Sequence, residues 1–219
     1  MQEQVIGVIG GGLAGCACAL ALADSGQKAV IFEATDRLGG RVASVRPPEL
    51  DHPLDNCPHV AFRAYDRFLQ LMGRIGAQDG LRIQPRTVMS FLDPDNEDIH
   101  RVVDSSRFTP PFHLMPSLLT FKPLKVKERM GLRRAVKALR RSNPRDPQLD
   151  GQDFQSWLEE HGQAPVTIER FWAPFVLAAL NVLPDRASAG LAIFLFQRGL
   201  FSSRSAFDAI TFSSDLSDI

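Results

Sequence analysis

The chain has 219 residues, and its 25 Lys and Arg balance 25 Asp and Glu, so the formal net charge is zero. This balance provides no overall electrostatic attraction to nucleic acid. The three cysteines, Cys16, Cys18 and Cys57, exclude a disulfide framework and are expected to be small core residues in a reducing compartment. The sequence contains no C-x-x-C or H-E-x-x-H spacing, so no metal ligands are predicted.

The opening of the chain combines a predicted strand, a glycine-rich turn and a helix. Residues 5–9 form a short apolar run bounded by glycine, which favours a buried parallel strand. Gly10, Gly12 and Gly15 follow in G-x-G-x-x-G register. That spacing suits a tight turn, close approach of a pyrophosphate to the backbone and close packing of the next helix. The helix, predicted for residues 13–25, would direct its N-terminal amides at the phosphates.

Glu33 extends this motif. It stands 21 positions after Gly12, at the end of a second apolar strand predicted for residues 29–32. An acid at this spacing binds a ribose hydroxyl of a dinucleotide and repels a 2′-phosphate. The sequence therefore predicts a dinucleotide site. The remaining residues of the predicted contact set in this part of the chain are Leu13, Ala14 and Ala34.

A membrane span is the alternative interpretation of the same segment. Residues 5–23 carry no charge and are about long enough to cross a bilayer, and Gly11 and Gly15 form a G-x-x-x-G pair. Against this, the glycines cluster in the middle of the run, Glu3 lies at its start, and no Lys or Arg precedes it. The same lack of a basic start argues against a signal peptide.

The middle of the chain contains one strongly basic segment. Residues 122–145 hold ten Lys or Arg and one acid, Glu128, and include a helix predicted for residues 126–141. A solvated basic helix face is the simplest interpretation. The alternative is a surface that touches anionic lipid near the entry of a lipophilic substrate. The other elements predicted before this segment are a helix at residues 61–76 and strands at residues 81–83, 88–92 and 99–103.

The last third of the chain is predicted to be helical. Asp153 is expected to cap a helix over residues 151–161, and two strongly apolar helices are predicted for residues 168–182 and 187–201. Asn181, a polar residue inside an apolar run, is either a site residue or the cap of a turn. The candidates for an apolar substrate tunnel, which could equally be plain core, are Phe171, Trp172, Phe175 and Phe194.

Several motifs resemble a known superfamily. The glycine turn, Glu33 and the run EATDRLGGR (33–41) resemble the FAD-containing amine oxidases and carotenoid (phytoene) desaturases. The segments LDNCPHV (54–60), FWAPFVLAALNVLPDRASA (171–189) and FQRGLFSSRSAFD (196–208) resemble the squalene-associated desaturases, the hydroxysqualene dehydroxylases. The resemblance implies FAD as cofactor and hydride transfer on a C30 isoprenoid. It assigns no catalytic side chain.

The resemblance also implies roles for individual residues. Glu33 should hold the adenosine ribose. Arg37, Gly40 and Arg41, together with Gly39, should surround the pyrophosphate. The segment from Asn56 to His59 should lie near the isoalloxazine ring. There the family usually has Gly-Gln where this chain has Cys57-Pro58, and Pro58 lacks an N–H donor. Flavin fit at that position is therefore an open question in the sequence.

Family members are about twice as long as this chain, so the resemblance indicates an N-terminal part of an enzyme. The expected fold is α/β at the start and α+β overall. A Rossmann-like FAD-binding βαβ unit (residues 1–60) would precede a mostly helical substrate region with a small antiparallel sheet (residues 61–219). The fold would be incomplete at the C-terminus, with an exposed apolar surface and a partner chain to complete it. The alternatives are a flavin amine oxidase and an inactive fragment that retains the ADP half of the FAD site. A cytoplasmic location is expected, with peripheral contact at the inner membrane surface left open.

Overall fold

The computed structural model describes residues 4–56, 60–93, 95–213 and 216. These residues form two compact units. Unit 1 takes its described residues from Met1–Ala61, Tyr65–Ile83 and Ala209–Ile219, and unit 2 takes its described residues from Phe62–Ala64 and Gln84–Asp208. The sequence placed the boundary at residue 60. The structure returns residues 65–83 and the last strand to unit 1, while the functional labels of the two regions stay a prediction.

Unit 1 is built on a parallel strand pair. Its helices and strands are β1 (Val5–Ile9), α1 (Leu13–Asp24), β2 (Lys28–Phe32), β3 (Ser44–Val45), β4 (Leu54–Asp55), α2 (Asp66–Ile75), β6 (Leu81–Ile83) and β9 (Ala209–Phe212); β5 (Ala61–Phe62) spans the boundary between the units. Strands β1 and β2 are parallel, with Val5 opposite Lys28 and Ile9 opposite Phe32, and α1 connects them. The predicted βαβ unit is confirmed.

The apolar surface of this βαβ unit is incompletely covered. All twelve residues of α1 remain at least partly exposed, Cys16 and Cys18 among them. In the sheet, Ile9 is 92% exposed and Phe32 is 61% exposed. The cysteines were expected in a core, and this was wrong for Cys18, which is exposed, because the described residues cover α1 only in part. The expected exposed apolar surface is present.

The later segments of unit 1 contact its earlier segments over long distances in sequence. Strand β9 pairs antiparallel with β6, placing Leu81 opposite Phe212. The Arg74 guanidinium on α2 makes an ion pair with Asp24 and donates to the Leu20 carbonyl of α1. Helix α2 begins at Asp66 rather than at residue 61, because the residues before it form β5 and a turn.

Unit 2 is mostly helical and has one hairpin. Its strands and helices are β7 (Val88–Leu92), β8 (Ile99–Val103), α3 (Met115–Leu119), α4 (Val126–Arg141), α5 (Pro147–Asp150), α6 (Phe154–Glu160), α7 (Pro165–Thr167), α8 (Ala173–Leu180) and α9 (Ala189–Phe196). Strands β7 and β8 pair antiparallel, as predicted. Helix α4 has the predicted bounds, and the Asp153 carboxylate accepts from the Ser156 amide at 2.8 Å as the predicted cap of α6.

The two apolar helices predicted in the last third contain turns of π-helix. Residues 168–172 and 197–201 adopt this wider turn, before α8 and after α9 respectively. Asn181 takes a left-handed conformation (φ 56°) and ends α8, so it is the cap of a turn. The capping role of Asn181 is therefore confirmed, and a role in a site stays a prediction.

The core of unit 2 is aromatic. Trp172, Phe154 and Phe196 are fully buried and pack edge-to-face or stacked, with ring centroids 5.1–6.2 Å apart. The buried Trp172 indole donates to the Gln163 side chain at 3.1 Å, so its polar atom is satisfied. Across the described part of the chain, no helix is both long and apolar enough to cross a membrane. Residues 5–23, the uncharged run weighed as a span, form β1, a turn and α1.

Candidate dinucleotide site

The three glycines of the first turn differ in what an added Cβ would meet. Gly10 has φ +93°, a conformation that favours glycine. A Cβ on Gly15 would lie 1.9 Å from the Gly10 carbonyl oxygen, so α1 can pack this closely only on glycine. A Cβ on Gly12 would meet nothing within 4 Å and would extend into open space at the start of α1. These properties match the turn, packing and approach roles predicted from the spacing.

The second glycine turn packs against the first. The Gly39 amide donates to the Gly11 carbonyl at 2.8 Å, and Gly39 forms a parallel bridge with Gly12. A Cβ on Gly40 would lie 3.1 Å from the Gly12 Cα. Sequence reasoning placed both turns near a phosphate but missed that they contact each other. The positive φ of Gly39 and Gly40, at +101° and +61°, explains why the paired glycine in this turn is needed.

Glu33 joins the two turns. Its Oε2 accepts from the Gly11 amide at 2.6 Å, and its Oε1 accepts from the Thr35 amide and hydroxyl at 3.0 Å each. These bonds, the one from Gly11 most of all, lower the pKa of the exposed Glu33 carboxyl below its ordinary value. The side chain is therefore a carboxylate at neutral pH, with oxygens that can accept from a ribose hydroxyl. Sequence reasoning did not foresee the roles of Gly11 and Thr35.

The basic residues of the second turn differ in what they contact. The Arg37 guanidinium donates to the Gly40 carbonyl at 3.0 Å and to the Leu38 carbonyl at 3.4 Å, so it braces the turn. The Asn56 side-chain amide donates to the Arg41 carbonyl at 3.4 Å, and the Asn56 backbone N–H donates to the Ala43 carbonyl at 2.8 Å. Pairing of β3 with β4 brings Asn56 to Arg41 from 15 positions along the chain.

The other predicted contact residues lie around these turns. Leu13 and Ala14 begin α1 directly after its N-cap, Gly12. No side chain among the described residues caps this end of α1, so its first amides are available to an anionic group. Ala34 follows Glu33 within the same turn. Cys57, Pro58 and His59 lie outside the described residues, and their predicted place near a flavin ring stays a prediction.

The arrangement suits the diphosphate and ribose of a dinucleotide. Two glycine turns in contact leave open space beside Gly12, the N-terminus of α1 supplies a positive dipole end, and Glu33 supplies a ribose acceptor. A Cβ at position 12 would fill this space, so the glycine present there fits the close approach of a diphosphate. All the residues involved lie in unit 1.

The predicted tunnel residues of unit 2 are not all in one place. Phe171 and Trp172 are buried and line the inner wall of an apolar cavity of about 750 Å³. Phe175 packs partly buried on the aromatic core, with its ring 5.4 Å from that of Phe171. Phe194 is 53% exposed and borders a different cavity. Phe171 and Trp172 therefore share one cavity wall, and Phe194 lies apart from them.

The glycine turns, Glu33 and the βαβ unit have the arrangement of a Rossmann-type dinucleotide-binding fold. Residues 13–208 match the model of the flavin containing amine oxidoreductase family. Because that match spans most of the chain, the protein belongs to this family. A flavin is accordingly the cofactor class of the family, and the protein is related to flavin-dependent oxidoreductases.

Relatives and solved structures agree with this assignment. The chain is 27% identical over 208 residues to a zeta-carotene desaturase of Capsicum annuum, covering 91% of this chain and 34% of that protein. It is 28% identical over 202 residues to a 15-cis-phytoene desaturase of Synechococcus elongatus, covering 89% and 41%. A crystal structure of an oxidoreductase from Methanosarcina mazei has the same fold, with a TM-score of 0.64, 18% identity, and coverage of 98% of this chain and 47% of that one. The chain spans about a third to two-fifths of these curated relatives.

Proposed function

We propose that this chain is part of a FAD-dependent oxidoreductase that acts by hydride transfer on a lipophilic isoprenoid. The observation that carries the proposal is the joined pair of glycine turns around Glu33, in a chain whose curated relatives are named as carotene and phytoene desaturases. FAD rather than FMN is favoured because the cradle offers a ribose acceptor and a diphosphate position, and among these flavins only FAD has both groups.

Hydroxysqualene is the proposed substrate and squalene the proposed product. Support comes from the resemblance of residues 171–189 and 196–208 to the hydroxysqualene dehydroxylases. The hydroxyl group would leave as water with one proton, and a hydride would replace it on the same carbon. That hydride would come from a bound flavin in its two-electron-reduced form, while the protein binds and orients the substrate and excludes water. This chain provides the nucleotide cradle for that reaction.

In the first experiment the purified chain is titrated with FAD, and binding is monitored by visible absorption. Binding of ADP is measured separately by calorimetry. We expect saturable binding of both, and we expect Gly12→Ala to lose it, because the added Cβ fills the space beside the cradle. The control is Gly131→Ala, where an added Cβ also meets nothing within 4 Å but lies on α4. Equal binding by both variants would contradict the proposed cofactor site.

The second experiment tests the substrate. The chain would be purified from its own host together with any polypeptide that copurifies, reduced anaerobically, and supplied with hydroxysqualene. Formation of squalene is the expected result. Bound FAD without squalene would contradict the substrate and leave the cofactor proposal standing. Release of hydrogen peroxide from a primary amine would instead favour a flavin amine oxidase, the activity in the family's own description.

We also propose that a further polypeptide segment covers the exposed face of the βαβ unit. Ile9, Phe32 and Val5, at 92%, 61% and 53% exposure, lie on the same face of the paired strands β1 and β2 and leave that face apolar. Ile9→Lys should abolish copurification of that segment and change the free energy of unfolding by less than about 0.5 kcal/mol. Leu92→Lys, a 67% exposed site in unit 2, is the matched control. Copurification unaffected by Ile9→Lys would contradict this proposal.

A further inference from the structure

An apolar cavity of about 750 Å³ lies beside α4 in unit 2. Its deep wall is formed by buried residues of the core, among them Leu132, Phe171 and Trp172. Its mouth carries partly exposed apolar side chains, including Leu119 at 49% and Met130 at 42% exposure. A cavity of this volume and composition suits a long apolar chain rather than a compact polar molecule.

The rim of this cavity is strongly basic. Five of its lining residues are cationic: Arg129, Arg133, Lys137, Arg140 and Arg141. Arg129 is engaged, since its guanidinium donates to the Leu124 carbonyl at 2.7 Å and to the Leu119 carbonyl. Among the described lining residues there is no carboxylate. In a chain of zero net charge, positive charge is therefore concentrated beside an apolar space.

A second, more open basin of about 700 Å³ adjoins the first cavity, and the two share Arg140, Arg141 and Phe201. It adds Arg145 from the loop after α4 and Arg198 from the π-helical turn after α9. Its described lining, too, includes no acidic residue. Four arginines from two separate segments, the end of α4 with its following loop and the π-helical turn after α9, thus converge on one basin.

Local helix stability does not account for this convergence. Arg140 and Arg141 lie in the last turn of α4, where a cation stabilises the helix dipole. The Gln197 side chain already donates hydrogen bonds at this end of α4, to the Leu139 and Ser142 carbonyls at 2.6 and 2.8 Å. Those two carbonyls therefore do not need an arginine as a hydrogen-bond donor. Arg145 lies beyond the helix, and no described carboxylate pairs with it. The basin has the composition of an anion site.

We infer that the cavity and the basin together bind one phosphate-bearing amphiphile, with its apolar chain beside Trp172 and its head among Arg140, Arg141 and Arg145. Arginine recognises phosphate through paired, charge-assisted hydrogen bonds, and several arginines at one place favour a head with more than one negative oxygen. Such a molecule differs from hydroxysqualene, which carries no phosphate. The proposed ligand is therefore different from the proposed substrate, and its binding does not depend on a bound flavin.

Tryptophan fluorescence can follow binding directly. The chain has two tryptophans, and Trp157→Phe leaves Trp172 in the cavity wall as the single reporter. The probe is farnesyl diphosphate below its critical micelle concentration. Farnesol supplies the same chain without the head, and inorganic pyrophosphate supplies the head without the chain. We expect saturable binding of farnesyl diphosphate that is at least about tenfold tighter than that of either fragment.

Two charge variants separate a built site from general attraction. In the same background, Arg141→Gln with Arg145→Gln should weaken farnesyl diphosphate binding by about tenfold or more, since each removes a charge-assisted contact. Lys122→Gln with Lys127→Gln removes the same charge from exposed positions that line neither cavity, and should change binding less than twofold. Far-UV circular dichroism would confirm that both variants are folded.

The result that overturns the inference is equal binding of farnesol and farnesyl diphosphate, or equal loss in both charge variants. Competition by vesicles distinguishes the two sources of a phosphate head. Displacement by phosphatidylglycerol but not phosphatidylcholine would support the site and assign it to a lipid headgroup. Displacement by neither would support the site and assign it to a free isoprenoid phosphate. Displacement by both vesicles alike would overturn it.

Discussion

Alanine at position 15 tests the closeness of α1 to the first glycine turn. The added Cβ would lie 1.9 Å from the Gly10 carbonyl oxygen and 3.0 Å from its carbon. Because the obstructing atoms are backbone, no side-chain rotation can relieve the overlap. The helix and the turn would have to separate by about 1 Å, and overpacking of this kind costs about 1–3 kcal/mol or more. We expect Gly15→Ala to destabilise unit 1 by at least about 2 kcal/mol.

Gly12→Ala and Gly131→Ala are the comparison variants, with different expected changes in the free energy of unfolding. Gly12 has φ −71°, which alanine adopts freely, and an added Cβ meets no atom within 4 Å. Its cost to stability should be at most about 1 kcal/mol, as alanine is a poorer N-cap than glycine. Gly131 is inside α4 with open space around it, so alanine there should stabilise by about 1 kcal/mol. The same substitution thus has three different expected effects.

Urea unfolding of the full chain, followed by far-UV circular dichroism, measures these differences. Trp157 and Trp172 both lie in unit 2, so their fluorescence reports that unit separately. Calorimetry with ADP adds the second readout: Gly12→Ala and Gly15→Ala should both lose binding, and Gly131→Ala should keep it. A Gly15→Ala chain as stable as the Gly131→Ala chain would refute the argument from packing distance.

Three further substitutions or conditions have defined outcomes. Asp153→Ala should lower the free energy of unfolding by about 1 kcal/mol at pH 7, because a helix cap is lost. Hydrogen bonds from Ser156 depress the pKa of the Asp153 carboxyl, so its contribution to stability fades as the pH falls below the ordinary value of 3.8. Urea titrations at several pH values would therefore show a smaller loss in acid. Burial lowers the pKa of His113, so as the pH falls below 6.5 this histidine is protonated in the unfolded chain before it is protonated in the folded one. The free energy of unfolding should therefore decline in that range. A His113→Gln chain with the same decline would contradict this. Phe196→Ala should cost about 3–5 kcal/mol by chemical denaturation, since the ring is fully buried among aromatic neighbours.

The sequence by itself determined the parts of the fold that depend on neighbouring residues. Strand β1, the glycine register and α1 follow from an apolar run, three glycines and a run of small residues, and the structure has them where they were predicted. Helix α4 has its predicted bounds because apolar residues recur at helical spacing between a capped start and a proline-containing loop. Glu33 was singled out from its place after the second strand, 21 positions after Gly12, and the structure has it bonded to the Gly11 amide, while its role as a ribose acceptor stays a prediction.

Tertiary structure alone decided which distant segments meet. Strand β9 was not predicted, since four residues at 209–212 become a strand only by pairing with β5 and β6, both more than 120 positions earlier. The contact of Gly39 with Gly11 and Gly12 also depends on how β2 returns the chain beside β1. The arginine basin brings together residues from 140 to 198 that have no common spacing. Local patterns carry the free energy of helix and turn formation, whereas these contacts depend on the packing of whole elements, which no short window of sequence contains.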